Sequence, residues 1–374
     1  MPSLQNHLLK NASGALGDLG TLLPLSLGAI GVAGLAPIPL LLGFAAFYIA
    51  TGLYYRLPIP VQPMKAVSAV LLTTQVSAES LAASGVLIGA ILLLLGSTGW
   101  INGLARLVPR SVLSGIQLGL GLLLADISLG LMASSLLVGS VTLVVLVTIL
   151  RMLPHLPAAL LGICVSVVLG TLLGAPGIAL HTADSSIISL PELPSIKALQ
   201  EGFSMLVLPQ LALTFTNAIL LTALMAEDYF GEQARRVTPA RLSMSTGLAN
   251  FFMVPLGALP MCHGAGGLAA HYRFGARTGL APVLLGVGLL MVAVVPGGLS
   301  LIAIIPTAGL GALLLVAAVE LAFNKRLRSA KFSCWPVIGI TALVTVCANP
   351  FLGLLAGVAA ETMRAAWLRR QRVA

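Results

Sequence analysis

Ionisable side chains inside long apolar stretches are the first candidates for chemistry in this 374-residue sequence. Lys65 follows the segment Pro60-Val61-Gln62-Pro63-Met64, and Asp18 interrupts an apolar run near the N-terminus. A charge at the centre of a membrane helix costs about 2.5 to 3.5 kcal/mol on insertion scales, so such residues usually have a function. Lys65 therefore predicts an anion site, because a bound anion would offset that cost. A snorkelling lysine, or one paired with Asp18, is the structural alternative.

A second break, Pro260-Met261-Cys262-His263-Gly264, has the same character as the first. In each, a proline-restricted segment precedes small residues, so a half-helix is expected to begin inside the membrane. The first N–H groups of a helix are unpaired and lie at the positive end of its dipole. Two such ends that face each other predict an anion site. His263 could line that site or bond a backbone carbonyl, and both interpretations stay open.

The composition indicates that these breaks lie in a membrane protein. The chain is 58% hydrophobic and 8% charged, whereas soluble domains carry about 25% charged residues. Its formal net charge of +9 is spread over short loops, which does not favour nucleic-acid binding. The four cysteines form no Cys-x-x-Cys pair, so no metal or cofactor is predicted. The sequence also lacks His-Glu-x-x-His and Gly-x-Ser-x-Gly, and a membrane-embedded enzyme is therefore not favoured.

Hydrophobic runs bounded by proline, glycine and charge predict fourteen membrane spans. The first seven cover 8–30, 36–55, 63–78, 81–99, 109–131, 134–152 and 156–175. After a polar connection, the second seven cover 203–226, 240–257, 263–273, 279–303, 306–324, 334–348 and 350–368. With the N-terminus inside, 18 of the 20 Lys and Arg residues fall on the cytoplasmic side, as the positive-inside rule expects. We therefore predict a bacterial inner-membrane protein with both termini cytoplasmic and the connection 176–201 periplasmic.

Landmarks recur in the same order in both halves of the chain. Asp18 precedes Pro60 by 42 residues, and Asn217 precedes Pro260 by 43. Because seven is an odd number, the second set of spans must enter the membrane from the opposite side. The predicted fold class is thus an all-α polytopic membrane protein with a 7+7 inverted repeat and half-helices in spans 3 and 10. The repeats comprise residues 1–175 and 202–374.

Other polar and glycine positions in the spans leave their roles open. Asp18 could contact a proton, cap a half-helix or pair with Lys65. Asp126 and Glu320 occupy similar places in paired Gly-rich helices, and either function or salt bridging would explain them. Gly14-x-x-Gly17-x-x-Gly20 predicts a helix-packing seam, which could also lie beside a substrate cavity.

Several stretches resemble the molybdate transporter family, which is related to the SulP sulfate permeases. They are Gly14–Thr21, Val61–Ala66, Leu208–Asn217, Pro260–Gly267 and Tyr272–Gly279. The resemblance implies the 7+7 fold of uracil-type permeases, with a core of spans 1–4 and 8–11 that moves against a gate of spans 5–7 and 12–14. SulP permeases carry a STAS domain after the last span, whereas this sequence ends at Ala374, so regulation through that domain is not expected. Thr216 stands where the family tends to have an aliphatic residue.

The resemblance also implies a substrate, a tetrahedral oxyanion held by these motifs. Gly264 and Gly266 are expected to direct N–H groups at it, and Thr216 and Asn217 to supply a hydroxyl and an amide opposite Lys65. The predicted substrate site comprises Gly17, Asp18, Thr21, Gln62, Pro63, Met64, Lys65, Thr214, Thr216, Asn217, Cys262, His263, Gly264, Ala265 and Gly266.

The predicted function is that of a secondary active transporter that imports molybdate, with no catalytic residues. A sulfate transporter and a nucleobase permease of the same fold are the alternatives. The expected partners are the molybdate or sulfate anion and membrane lipid. A coupling proton or other ion and a homodimer are left open.

Overall fold

The computed structural model describes residues 4–101, 109–153, 156–180 and 194–373. Two sequence predictions lie partly outside the described residues: residues 181–193 of the polar connection, and Arg106, which is one of the basic residues predicted to be cytoplasmic. The rest of the chain is predominantly helical, as the sequence predicts.

The helices follow the order of the predicted spans. In the first half they are α1 Leu4–Leu16, α2 Leu19–Gly31, α3 Pro37–Tyr55, α4 Lys65–Thr73, α5 Ala78–Thr98, α6 Arg110–Met132, α7 Leu136–Met152 and α8 Ala158–Leu173. In the second half they are α9 Ile196–Arg236, α10 Pro239–Met253, α11 Ala265–Arg273, α12 Leu280–Val294, α13 Thr307–Ala322, α14 Trp335–Cys347 and α15 Pro350–Val373. One-turn helices lie at Ser300–Ala303 and Lys325–Arg328.

Several helices differ from the spans predicted for them. The helix expected over 279–303 ends at Val294 and is followed by the one-turn helix Ser300–Ala303. The helix expected over 8–30 breaks at Gly17-Asp18, where α1 and α2 meet at a bend of 46°. Helix α11 packs closely against this break, because a Cβ at Gly17 would meet the ring of Phe274 and the backbone of Ala270. Helix α9 extends beyond both ends of the predicted 203–226 and contains π-helical segments at Gly202–Val207 and Thr214–Leu221.

The helices differ in whether they are long enough to cross a bilayer. Among the described residues, five helical stretches are long and apolar enough to cross a bilayer, and the bent pair α1–α2 would be a sixth. Shorter apolar helices such as α8, with 16 residues, and α12, with 15, rise only about 22 to 24 Å, less than the hydrocarbon thickness of about 30 Å. A multi-pass membrane fold is therefore shown, while the count of fourteen stays a prediction.

A two-stranded sheet joins the two sequence breaks. Strand β1, Gln62–Pro63, pairs antiparallel with β2, Met261–Cys262, with Gln62 opposite Cys262. Helices α4 and α11 begin two and three residues after these strands and contain nine residues each. Each rises about 13 Å, roughly half the hydrocarbon thickness. The sheet therefore fixes the starts of both half-helices next to each other.

Close packing at small residues holds the longer helices together. Helix α3 packs on α12, and α5 packs on α10; α6 packs on both α13 and α14. Gly52 and Gly279 show how tight the first contact is, because a Cβ at either would meet the other's carbonyl oxygen. The predicted glycine seam is confirmed at Gly14, which packs on Ala276.

Candidate functional site

Lys65 is the first residue of α4 and is partly exposed to cavities between the helices. Among the described residues, the ion pairs within 4.0 Å are His271–Asp18 and Arg364–Glu361. The ammonium of Lys65 is therefore not paired with Asp18, the partner that the structural alternative required. A partly buried cation without such a partner remains available to an anion.

Asp18 is buried at the α1–α2 break, where other side chains use both of its oxygens. The hydroxyl of Tyr48 donates to Oδ2 over 2.6 Å, and Nε2 of Gln62 donates to Oδ1 over 2.5 Å. The nearest basic group is Nε2 of His271, 4.0 Å from Oδ2. Asp18 thus ties α3 and β1 to the break, an arrangement that the sequence did not predict.

The start of α4 is capped by a side chain from α9. Oε1 of Gln210 accepts hydrogen bonds from the N–H groups of Ala66 and Val67, at 2.9 and 3.4 Å. Nε2 of the same amide donates to Oγ1 of Thr214 over 3.0 Å. The expectation that these first-turn N–H groups point freely at a ligand is therefore wrong for α4. Its dipole still favours an anion near Lys65.

The start of α11 has one buried and one open glycine. Gly264 is the N-cap, and a Cβ there would meet Oε1 of Gln62. Gly266 is exposed, and a Cβ there would meet nothing within 4 Å. Of the two glycines, Gly266 faces space that a ligand could enter, whereas a side chain at Gly264 would meet Gln62. The role of the Gly264 N–H group stays a prediction.

Two cavities meet at Lys65 and Glu320. The first, of about 180 Å³, is lined by polar residues including Gln62, Lys65, Gln117, Gln210, Asn217, His263, Glu320, Asn324 and Arg326. The second, of about 350 Å³, is lined by residues including Gly17, Gly20, Thr21, Lys65, Gly266, Arg273 and Glu320. A space of about 10 Å³ beside Thr21 also touches both charged residues. Lys65 and Glu320 thus stand at the junction.

The charges that line these cavities favour an anion. Lys65, Arg273 and Arg326 contribute three positive charges, and Glu320 contributes one negative charge. Burial, and to a lesser degree nearby Arg110, lowers the pKa of Arg326, but a guanidinium stays charged at neutral pH. Asp126 is exposed on α6 and lines neither cavity, so it differs in setting from Glu320.

The structure brings most of the predicted site together. Residues that line the first or second cavity are Gly17, Thr21, Gln62, Pro63, Lys65, Asn217, Cys262, His263 and Gly266. Residues that line neither, within the part of the chain that the structure describes, are Asp18, Met64, Thr214, Thr216, Gly264 and Ala265. The hydroxyl of Thr216 instead donates to the carbonyl of Ala212 over 2.9 Å. Met64 and Thr214 are fully buried.

His263 meets both of the descriptions that the sequence left open. Its Nδ1 lies 2.9 Å from the carbonyl oxygen of Pro60, and its Nε2 lies 2.8 Å from Oγ of Ser245. The ring also packs against Phe47 and Tyr55. His263 is therefore a fixed part of the cavity wall.

Sequence reasoning missed several polar residues of the cavity wall. Gln117 on α6 accepts a hydrogen bond from Asn324 over 3.0 Å. Arg326 lies two residues after Asn324, in the one-turn helix Lys325–Arg328. Gln210 could have been found, because it is a polar residue one turn before Thr214 in an apolar helix. Nothing in the spacing of Gln117, Asn324 and Arg326 marks them.

Sequence comparisons connect the chain with named transporters. A family model described as molybdate transporter of the MFS superfamily matches residues 10–124 and 202–321. Molybdate transporter 2 of Arabidopsis thaliana is 32% identical over 410 residues, which cover 95% of this chain and 87% of that protein. Molybdate transporter 1 of Chlamydomonas reinhardtii is 28% identical over 473 residues, covering 93% and 90% respectively.

Solved structures share the fold. The transmembrane domain of the cyanobacterial bicarbonate transporter BicA matches with a TM-score of 0.69 at 17% identity, covering 95% of this chain and 98% of that one. The murine solute carrier 26 family member A9 anion transporter, in its inward-facing state, matches with a TM-score of 0.72 at 14% identity, covering 98% and 69%. At these identities the similarity concerns the fold alone.

Proposed function

This chain belongs to the molybdate transporter family, and from that premise we propose that it is a secondary active transporter that imports molybdate. The named relatives and the structural neighbours are transporters, and the chain is not an enzyme. The observation that carries the proposal is Lys65, a partly exposed cation at the start of a half-helix, which lies where two cavities meet.

The cavity offers donors suited to an oxyanion. The ammonium of Lys65 supplies charge, and the amide of Asn217 supplies a neutral donor in the same cavity. The open N-terminal turn of α11 at Gly266 supplies the second helix dipole. Such a site responds to the charge and size of an anion but recognises tetrahedral geometry only coarsely. Sulfate is therefore the second candidate substrate.

Glu320 would place a negative charge on the gate, beside the anion site. It lies on α13 and lines both cavities with Lys65, at more than the 4.0 Å of an ion pair. Since a carboxylate repels an oxyanion and attracts an ammonium, Glu320 would approach Lys65 when the site is empty. This competition would favour the return of the empty transporter.

The inverted repeat is supported by how the helices pair. Helix α3 packs on α12, and α5 packs on α10; in span numbers these pairs are 2 with 11 and 4 with 9. Shifting each member by seven spans exchanges one pair for the other. The pairing within spans 1–4 and 8–11, and separately within 5–7 and 12–14, also supports a core that moves against a gate.

The orientation of the protein in its membrane is proposed from the distribution of charge alone. The named relatives come from a plant and an alga, so a bacterial inner membrane stays a prediction. The cytoplasmic position of both termini rests on the distribution of Lys and Arg.

The proposal is tested by uptake into proteoliposomes that contain the purified protein. We expect labelled molybdate to enter, unlabelled molybdate to compete, and sulfate to compete more weakly or equally. Imposed ion gradients would then show which gradient drives accumulation. Competition by uracil or xanthine, with no effect of either oxyanion, would favour the nucleobase permease instead.

A further inference from the structure

A buried imidazole faces a buried carboxylate with no hydrogen bond between them. Nδ1 of His271 lies 2.9 Å from the carbonyl oxygen of Pro58. Because a carbonyl can only accept, Nδ1 must carry a hydrogen and donate it. Nε2 is buried without a hydrogen-bond partner among the described residues, and it lies 4.0 Å from Oδ2 of Asp18. In the neutral ring, Nε2 therefore presents a lone pair to a carboxylate.

The other two hydrogen bonds of Asp18 do not supply a hydrogen between its carboxylate and Nε2 of His271. Tyr48 and Gln62 both donate to the carboxylate, so its ionised form is already well solvated by hydrogen bonds. A proton on Nε2 of His271 would turn the unpartnered nitrogen into a donor. The two groups would then form a charge-assisted hydrogen bond after a shift of about 1 Å.

We propose that Asp18 and His271 form the site that binds the coupling proton, an inference that rests on the transport function proposed above. The proton comes from the aqueous solution and forms an N–H bond at Nε2, and no other covalent bond changes. The charge of the pair rises from −1 to zero. Acidification on the side from which the anion is taken up should therefore favour uptake.

The pair is connected to the anion cavity through Gln62. This residue bonds Asp18 on one side, lines the first cavity on the other, and belongs to the sheet from which both half-helices start. Cys262, opposite Gln62, lies within the electrostatic field of both Asp18 and Lys65. Binding a proton in the core thus adds positive charge near the place where a dianion adds negative charge.

Other ionisable groups lie on the elements that pack against α11, and of these Glu227 and Asp228 on α9 are exposed. Tyr48 on α3 already bonds Asp18. Tyr229 on α9 stacks on Tyr272, Lys10 on α1 is exposed, and Arg273 on α11 lines the second cavity. Among these described groups, Asp18 is the partner that a proton on His271 would gain.

The test compares two assays on the same reconstituted full-length protein. Counterflow, which exchanges labelled for unlabelled molybdate, needs no net proton movement, whereas accumulation driven by an acidic exterior does. We expect His271→Gln to keep counterflow but to lower the ratio of pH-driven accumulation to counterflow at least tenfold. Asp18→Asn should lower the ratio similarly. Lys331→Gln is the control, because Lys331 is exposed in a loop and lines neither cavity, and its ratio should stay near wild type.

The wild-type protein supplies a measurement that does not depend on how the variants fold. A pH-sensitive dye inside the vesicles should report one proton entering with each molybdate. Net molybdate uptake without proton entry, or an unchanged ratio in a folded His271→Gln protein, would overturn the proton site and leave the transport function standing. Absence of both molybdate and sulfate counterflow in the wild type would overturn the proposed function and this inference with it.

Discussion

At the scale of single residues, Lys65 is the position on which the proposed anion site depends. Lys65→Gln removes its charge but keeps a polar side chain of similar length. Since a hydrogen bond to a charged group contributes about 1.5 to 3 kcal/mol, we expect molybdate binding to weaken by about 10- to 100-fold. Binding to the purified protein can be measured by equilibrium dialysis. Lys331→Gln, which changes an exposed lysine in a loop, is the matched control and should bind normally. Unchanged affinity in folded Lys65→Gln would contradict the assignment.

Asn217 and Thr216 are neighbours whose side chains the structure separates. Asn217 lines the first cavity, whereas the hydroxyl of Thr216 bonds the carbonyl of Ala212. Asn217→Ala should therefore weaken molybdate binding by roughly tenfold, the loss of one bond to a charged acceptor. Thr216→Val should change it by less than about twofold. A larger loss in the Thr216 variant, with Asn217→Ala unaffected, would mean that α9 presents its other face to the substrate.

Residue types and spacing predicted the cavity only in part. Lys65 stands out because a charge in an apolar span is costly, and Asn217 stands out through its place in the repeat. Gln117 and Arg326 come to the cavity from α6 and from the chain after α13. Their placement depends on how α6 and the segment after α13 pack against the other helices, and a local sequence pattern does not contain that information.

At the scale of elements, the sequence predicted the breaks that prolines create and missed the one that packing creates. Proline restricts φ and lacks an N–H group, so the segments that begin at Pro60 and Pro260 are marked locally. The break at Gly17-Asp18 depends on Tyr48 and Gln62, which lie 30 and 44 residues away in the chain. An uninterrupted helix was the natural expectation there.

The start of α11 makes a prediction that separates folding from transport. Gly264→Ala places a Cβ against Oε1 of Gln62, and should disturb the Gln62–Asp18 bond and lower thermal stability. Gly266→Ala places the same methyl group in open cavity space, so stability should stay near wild type. Its molybdate uptake should still fall, because the methyl group occupies space beside Lys65.

Thermal unfolding followed by intrinsic fluorescence, together with uptake by the same preparations, would check the pair. The control is Gly288→Ala on α12. A Cβ at Gly288 also meets nothing within 4 Å, and Gly288 lines neither of the two cavities. Normal uptake by a stable Gly266→Ala protein would mean that α11 does not face the substrate.

At the scale of the whole molecule, contacts at the helix ends bring together positions that the charge pattern predicts to lie on the same side. The hydroxyl of Tyr55 donates to the carbonyl of Arg241, and Asn11 accepts from the N–H group of Arg277. All four residues belong to loops or helix ends predicted to be cytoplasmic. Contacts between predicted outer positions form a separate set, in which the N–H group of Ser195 donates to Glu79 over 2.6 Å.

The orientation itself is tested with single cysteines in a protein whose four native cysteines are replaced. Gln75 and Gln233 are both exposed, the first between α4 and α5 and the second near the end of α9. The predicted topology places Gln75 near the outer end of the span 63–78, and the structure places it just after the half-helix α4, so we expect it to be reached from outside. It places Gln233 in the cytoplasm, because basic residues flank it. Ser186, in the polar connection, lies outside the described residues but should behave like Gln75.

In intact cells, a membrane-impermeant maleimide should therefore label Gln75→Cys and Ser186→Cys but not Gln233→Cys. Permeabilised cells should allow all three to react, which controls for accessibility. Since Gln75 and Gln233 lie on opposite sides only if the spans between them are odd in number, the comparison tests the count as well as the direction. Labelling of Gln233→Cys alone in intact cells would invert the orientation, and labelling of both glutamine positions from one side would remove the inverted repeat.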